Sequence, residues 1–300
     1  MSKAKIAVVG AGLMGHGIAQ VFALAGHDVT ITDSHQPNLD TVKSRIATNL
    51  RDLGDDENAV ERVRPVAGLA GAVRDADFVV EAVLEDMLLK QTLFAEIEQH
   101  VRPDTILASN TSVMPITQIM QGLRRRERAL GTHWWNPPFL VPLVEVIGTQ
   151  WTSQQVVENT MKLHEQAGKQ PAHVKKDVPG FIGNRLQHAL WREAIALVEN
   201  GICDAPTVDA VIKAAFGRRL AVLGPLENAD LVGTDLTLAI HQVVLPDIDR
   251  RPGPSPYLDA LVKGGKLGFK SGEGFRKWSP EQQAALRAKV LQHLKTARDR

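Results

Sequence analysis

Near its start the chain passes from a short apolar run, Lys5 to Val9, into Gly10-Ala11-Gly12-Leu13-Met14-Gly15. A stretch rich in Ala, Leu, Ile and Val follows until Gly26. The three glycines have separate tasks: Gly10 permits a tight turn, Gly12 lets the backbone approach a pyrophosphate, and Gly15 lets the new helix pack closely on the strand. The helix N-terminus adds free amides and the positive end of its dipole. A second apolar run, Val29 to Thr32, ends at Asp33, 23 residues after Gly10, where a carboxylate can accept hydrogen bonds from an adenine-ribose hydroxyl. That carboxylate repels a 2′-phosphate, and the following Ser34-His35-Gln36 supply no arginine, so the pattern predicts NAD over NADP. Gly10, Gly12, Leu13, Met14, Gly15 and Asp33 are the expected cofactor contacts of this segment. His16, directly after the last glycine, reads as a helix-surface residue beside the phosphates.

Short apolar runs alternate with helical patterns through about the first 175 residues, an α/β signature. Predicted strands are Lys5 to Val9, Val29 to Thr32, Phe78 to Val80, Thr105 to Ala108, Ala129 to Gly131, Leu143 to Ile147 and Ala172 to Val174. Several are too apolar to face water, which suits a sheet covered by helices on both faces. The expected fold is a doubly wound, mostly parallel Rossmann sheet. A length of 300 residues favours two domains over one. At Lys175 to Gly180 proline and glycine interrupt the pattern and the remainder reads as helices, among them Ile182 to Asn200, one opening at Asp204, and a solvated amphipathic helix from Pro280 to Arg300. The expected division is 1–178 for cofactor and 179–300 for an all-α domain.

Bulk composition excludes several classes. Lys and Arg total 35 against 34 Asp and Glu, a net charge of +1 that gives no broad field for nucleic acid or an anionic membrane. No apolar run reaches the ~18 residues of a membrane span. Met1 to Ala4 lead straight into a strand without a signal-peptide cleavage site, so a cytoplasmic address is expected. The single cysteine, Cys203, has no thiol partner and no metal-ligand spacing, so it reads as structural and no metal is expected.

The segment Gly131-Thr132-His133-Trp134-Trp135-Asn136-Pro137-Pro138 puts a histidine directly after a predicted strand, at the sheet edge where open α/β sheets bind ligands. Twelve residues later Glu145 interrupts the apolar run Leu143 to Ile147, where a buried carboxylate needs a partner. If that partner is His133, the carboxylate sets the ring tautomer and the other nitrogen can take a hydroxyl proton. The residues alone equally allow His133 as a loop histidine and Glu145 paired with a nearby Arg or Lys.

Six segments in order resemble the L-3-hydroxyacyl-CoA dehydrogenase family: Val9 to Gly15, Ser109-Asn110-Thr111-Ser112, His133 to Pro137, Leu143 to Ile147, Pro179 to Leu186, and Lys270-Ser271-Gly272-Glu273-Gly274-Phe275. The resemblance implies an NAD-dependent oxidoreductase acting on a secondary alcohol, with His133 as acid and base and Glu145 orienting it. Ser112 and Asn184 are implied near the reacting oxygen, and Glu85, Lys90, Ser112, Asn136 and Lys270 as NAD contacts. Read as residues only, Glu85 and Lys90 also fit a solvated helix pair, and Lys270 an exposed turn. A homodimer formed by the helical domain is implied as well, although the apolar periodicity of its helices fits packing against the chain's own Rossmann domain equally.

The chain departs from the acyl-CoA members in its arm between the second and third strands. Only 44 positions separate Asp33 from Asp77, and they include the acidic Asp55-Asp56-Glu57, ill suited to a nucleotide phosphate. Pro142 stands where acyl-CoA enzymes commonly have lysine, and Pro137-Pro138 resemble relatives acting on carnitine, gulonate and similar hydroxy acids. Both substrate classes, a 3-hydroxyacyl-CoA and a small free hydroxy acid, remain open. Arg185, Arg192, Arg218 and Arg219 are candidate carboxylate partners or a solvated face. Trp134 and Trp135 shape a pocket beside His133 or pack in the core, and Arg124 to Arg128 read as a solvated turn. The rival classes are a non-catalytic NAD-binding protein and a β-hydroxyacid dehydrogenase; the latter is usually described with a lysine where this chain has Asn184-Arg185.

Overall fold

The computed structural model describes residues 3–298 and divides them into two compact units. The first runs to Arg185 and takes in the chain again from Gln292, while the second covers Leu186–Leu291. In chain order the first unit begins with β1 (Lys5–Val9), α1 (Leu13–Leu24), β2 (Asp28–Thr32), α2 (Gln36–Leu53), β3 (Val63–Pro65) and α3 (Leu69–Val73). It continues with β4 (Phe78–Glu81), α4 (Met87–His100), β5 (Ile106–Ser109), α5 (Ile116–Met120), β6 (Ala129–Trp134), β7 (Leu143–Gly148), α6 (Gln154–Gln166) and β8 (Gln170–Val174). Helix α7 (Gly183–Glu199) follows, and then α8 (Ala205–Ala214), α9 (Pro225–Val232), α10 (Thr234–Val244), α11 (Pro256–Lys263) and α12 (Pro280–Arg298). The expected last helix is therefore present up to Arg298; Asp299 and Arg300 lie outside the described residues.

The eight strands form one sheet in the order β3-β2-β1-β4-β5-β6-β7-β8. Neighbours are parallel except β6 and β7, which run antiparallel. The order reverses between β1 and β4, so the crevice beyond their carboxyl ends is the ligand position of a doubly wound sheet. Alternate residues of one strand feed two cores: Ile6 and Val8 pack with Ile18, Phe22, Ile46 and Leu50 on one face, Ala7 and Val9 with Phe94 and Ile97 on the other. Covering both faces is what makes the strands continuously apolar.

Two elements differ from the expectation. Strand β3 is three residues long and contains Arg64 and Pro65, so it carries no apolar signal, and it takes its place at the sheet edge where a proline is tolerated. Strand β6 runs on to Trp134, which puts His133 within a strand rather than after one. The turn Arg124 to Arg128 is solvated only in part: Arg128 is buried, its guanidinium on the carbonyl of Arg102 and beside Glu98.

Candidate active site

At the carboxyl end of β1 a Cβ on Gly10 would lie 2.5 Å from the carbonyl oxygen of Ala82, and one on Gly15 only 1.7 Å from that of Gly10. Gly10 also has φ +104°, a region that glycine alone enters cheaply. A Cβ on Gly12, by contrast, meets nothing within 4 Å. Two glycines thus close the turn and the third leaves open space over the start of α1, whose first amides no side chain caps. Free amides, a positive helix end and open room fit the pyrophosphate of NAD. Asp33 stands after β2 with Oδ2 accepting from the Ala11 amide (2.7 Å) and from Asn38 (3.1 Å), and Oδ1 from the His35 amide (2.8 Å). About four lone-pair sites on a carboxylate leave capacity for a ribose hydroxyl.

Arg45 of α2, which carried no sequence signal, donates to the carbonyls of Ala11 (2.6 Å) and Asn38 (2.8 Å) and so steadies the glycine turn from behind. His16 departs from the expected surface position. It is buried, with Nδ1 2.8 Å from the Gly12 carbonyl, and burial lowers its pKa. The ring serves as a packed brace of the turn.

The strand β4 ends in a hydrogen-bonded network that joins Glu81 to residues of α4 and to the end of β5. Lys90 of α4 is buried rather than solvated, its ammonium 2.6 Å from Glu81 Oε1 and 3.2 Å from Glu85 Oε2. Glu85 Oε1 accepts from the Ser112 amide (2.6 Å) and the Thr111 hydroxyl (2.8 Å). Asn184 Nδ2 donates to the Ser112 carbonyl at 2.8 Å. Glu85, Lys90, Ser112 and Asn184, drawn from three separate stretches of the chain, are therefore one hydrogen-bonded group. Asn136 is exposed in the segment joining β6 to β7. Lys270 lies in the second unit, exposed in the turn after Leu267.

His133 and Glu145 face each other across the antiparallel β6–β7 pair, directly opposed in register. Both are buried, and His133 Nδ1–H donates to Glu145 Oε2 at 2.8 Å. The other carboxylate oxygen accepts from the amides of Ile182 (2.9 Å) and Gly183 (3.0 Å), where α7 begins. Burial pulls the Glu145 carboxyl upward, but the His133 hydrogen bond and these two amides outweigh it and hold it below the usual range. An ionised Glu145 fixes the proton on Nδ1 and leaves Nε2 as the acceptor nitrogen. Trp135 and Phe181 wall the ring, with centroids 5.3 and 5.6 Å from it. Gly183 is required here because a Cβ would lie 2.5 Å from Trp135 Cζ2. Trp134 points the other way, into the core beside Phe22 and His164.

The family profile described as 3-hydroxyacyl-CoA dehydrogenase, NAD binding domain, matches residues 5–178, and that of the C-terminal domain matches residues 180–278. The chain belongs to the 3-hydroxyacyl-CoA dehydrogenase family. As a member it is an NAD-dependent oxidoreductase acting on a secondary alcohol. It is 35% identical to a 5-formyl-3-hydroxy-2-methylpyridine 4-carboxylate 5-dehydrogenase of Mesorhizobium japonicum, over 98% of this chain and 96% of that one. A probable 3-hydroxybutyryl-CoA dehydrogenase of Deinococcus radiodurans is 38% identical, over 91% of this chain and 100% of its own. Among solved structures, that of a 5-formyl-3-hydroxy-2-methylpyridine 4-carboxylic acid 5-dehydrogenase, described as an NAD+ dependent dismutase, superposes with a TM-score of 0.92. It is 34% identical, covering 99% of this chain and 98% of that one. Helix α12 lies beyond the residues that the family profiles match.

Proposed function

We propose that this family member oxidises the hydroxyl of a small free acid rather than of a coenzyme A thioester. The arm between β2 and β3 carries the argument. The end of α2 and the turn after it present Asp52, Asp55, Asp56 and Glu57, and the last turns of α12, from Gln292 onward, reach them: Lys295 donates to the Asp52 carbonyl (2.9 Å) and Arg298 forks onto Asp55. An acidic surface whose nearby cations are already committed to it, Arg298 to Asp55 and Arg51 to Glu57, is poorly suited to a nucleotide phosphate. One relative that matches nearly the whole chain is named for a pyridine carboxylate. The test is NADH formation with 3-hydroxybutyryl-CoA, longer 3-hydroxyacyl-CoAs, carnitine, gulonate and pyridine or aromatic hydroxy acids. Turnover of a free acid alone is expected; turnover of thioesters alone sinks the reading and moves the enzyme to fatty acid metabolism.

In this reading bound NAD would supply the hydride acceptor for the oxidation. His133 Nε2 takes the hydroxyl proton, and the ionised Glu145 stabilises the resulting imidazolium. The Ser112 hydroxyl donates to the reacting oxygen, while Asn184 holds the Ser112 carbonyl and so sets the position of that residue. Gly10, Gly12, Leu13, Met14, Gly15 and Asp33 would hold the adenosine and pyrophosphate side of the cofactor, and Glu85 and Asn136 its remainder. Asp33→Asn is expected to weaken NAD by about ten- to a hundredfold while relieving repulsion of NADP, since a charge-assisted hydrogen bond contributes about 1.5–3 kcal/mol. Fluorescence titration with both reduced cofactors measures it, and unchanged discrimination removes Asp33 from the ribose site.

Residues 1–178 are the cofactor domain in this reading, and 179–300 the domain for substrate and self-association, in a cytoplasmic homodimer. The second unit supports the dimer: of its hydrophobic side chains only Ala196, Val208 and Leu261 are buried among the described residues, while Val222, Leu226, Leu231 and Val243 are more than 70% exposed. Apolar surface on that scale marks an association site. Light scattering is expected to give twice the chain mass of 32.8 kDa, and a monomer at all concentrations would refute it.

A further inference from the structure

Glu81, the last residue of β4, is fully buried, and both its oxygens are in use. Oε1 accepts from the Val83 amide (2.7 Å) and Lys90 Nζ (2.6 Å), and Oε2 from the Ser109 hydroxyl (2.6 Å). In register it sits beside Val9 of β1 on one side and Ser109 of β5 on the other, at the point where the strand order reverses. A buried ion pair is a poor way to gain stability, because an apolar pair of similar volume serves as well. Its position at the crevice calls for another explanation.

We propose that Glu81 is a positioning residue, which by holding Lys90 aligns Glu85 and the Ser112 loop for binding of the cofactor. The proposal rests on the reading above that Glu85 and Ser112 stand on the cofactor side. Lys90 lies closer to Glu81 (2.6 Å) than to Glu85 (3.2 Å), so only one Glu85 oxygen is engaged by it. The other is left to the Ser112 amide and Thr111 hydroxyl. Without the Glu81 charge, Lys90 has Glu85 as its sole carboxylate. It then draws that side chain inward, and the Ser112 amide loses its acceptor. The Val83 bond acts in the same sense on the other rim, because it fixes the turn whose Ala82 carbonyl abuts Gly10. Lys90 itself is 1% exposed and acts through Glu85, not by touching the cofactor.

A double-mutant cycle on NADH affinity tests this, read by fluorescence without substrate, so an error in the substrate class leaves it intact. Glu81→Gln is expected to raise the NADH Kd by about tenfold, but by less than about twofold in a Glu85→Gln background, the non-additivity of residues acting through one another. Equal effects in both backgrounds, or wild-type affinity in folded Glu81→Gln, overturn the proposal. Should Glu81→Gln fail to give a cooperative melt, Glu81→Asp withdraws the carboxylate from Lys90 by one methylene. The same non-additivity is then expected, with the same overturning results.

Discussion

Replacing His133 by alanine is expected to lower turnover by about 10²- to 10⁴-fold while NADH affinity stays within about twofold. The range follows from removing a positioned general base: the ring sits in β6 with Nδ1 committed to Glu145 and its other nitrogen as the acceptor. Cofactor affinity is spared because the glycine turn and Asp33 occupy the ends of β1 and β2, and among the described residues no hydrogen bond links His133 to them. Loss of packing against Trp135 and Phe181 lowers stability, so the melting temperature is measured alongside. Turnover within about threefold of wild type would remove His133 from the reaction.

Glu145→Gln is expected to be at least as damaging, by about 10³- to 10⁴-fold, through the proton rather than through position. The amides of Ile182 and Gly183 claim the acceptor oxygen of the new side chain, which turns its NH₂ toward His133. Nδ1 must then accept, the ring proton moves to Nε2, and the base is lost. Because both residues act as a unit, the double variant should be little worse than either single one. The same carboxyl contributes to acid stability. Its folded pKa lies below the ordinary 4.5, so its contribution is complete above that value and is lost as pH falls through the lower folded one. Melting between about pH 2.5 and 6 should therefore fall less steeply for Glu145→Gln than for wild type. Parallel curves, or near-normal turnover, would refute the pairing.

Local signals were enough for the cofactor turn. Gly10, Gly12 and Gly15 act within one turn of chain, and the apolar runs mark seven of the eight strands; the exception, Val63–Pro65, has neither length nor apolarity to announce itself. Long-range partnerships were less legible. Lys90 and Glu85 are near neighbours in sequence, and their spacing fits a solvated pair as well as a buried one; Glu81, 9 residues before Lys90, is what takes the ammonium inside. Histidines make the same point. His16 is a buried brace, and His164, driven down to about 4 by burial in the core, sits beside Phe22, Phe78 and Trp134, whereas His133 faces a carboxylate.

By itself the sequence determined the doubly wound cofactor domain, its preference for NAD and the helical remainder, because glycine geometry, strand alternation and one carboxylate at a strand end are properties of contiguous residues. Only the tertiary structure decided that β6 and β7 run antiparallel. That reversal sets residues 133 and 145 opposite one another, and the first amides of α7, almost 40 positions further on, complete the carboxylate's coordination. Backbone direction and the arrival of a distant helix end are consequences of how the sheet is packed, and no local pattern carries them.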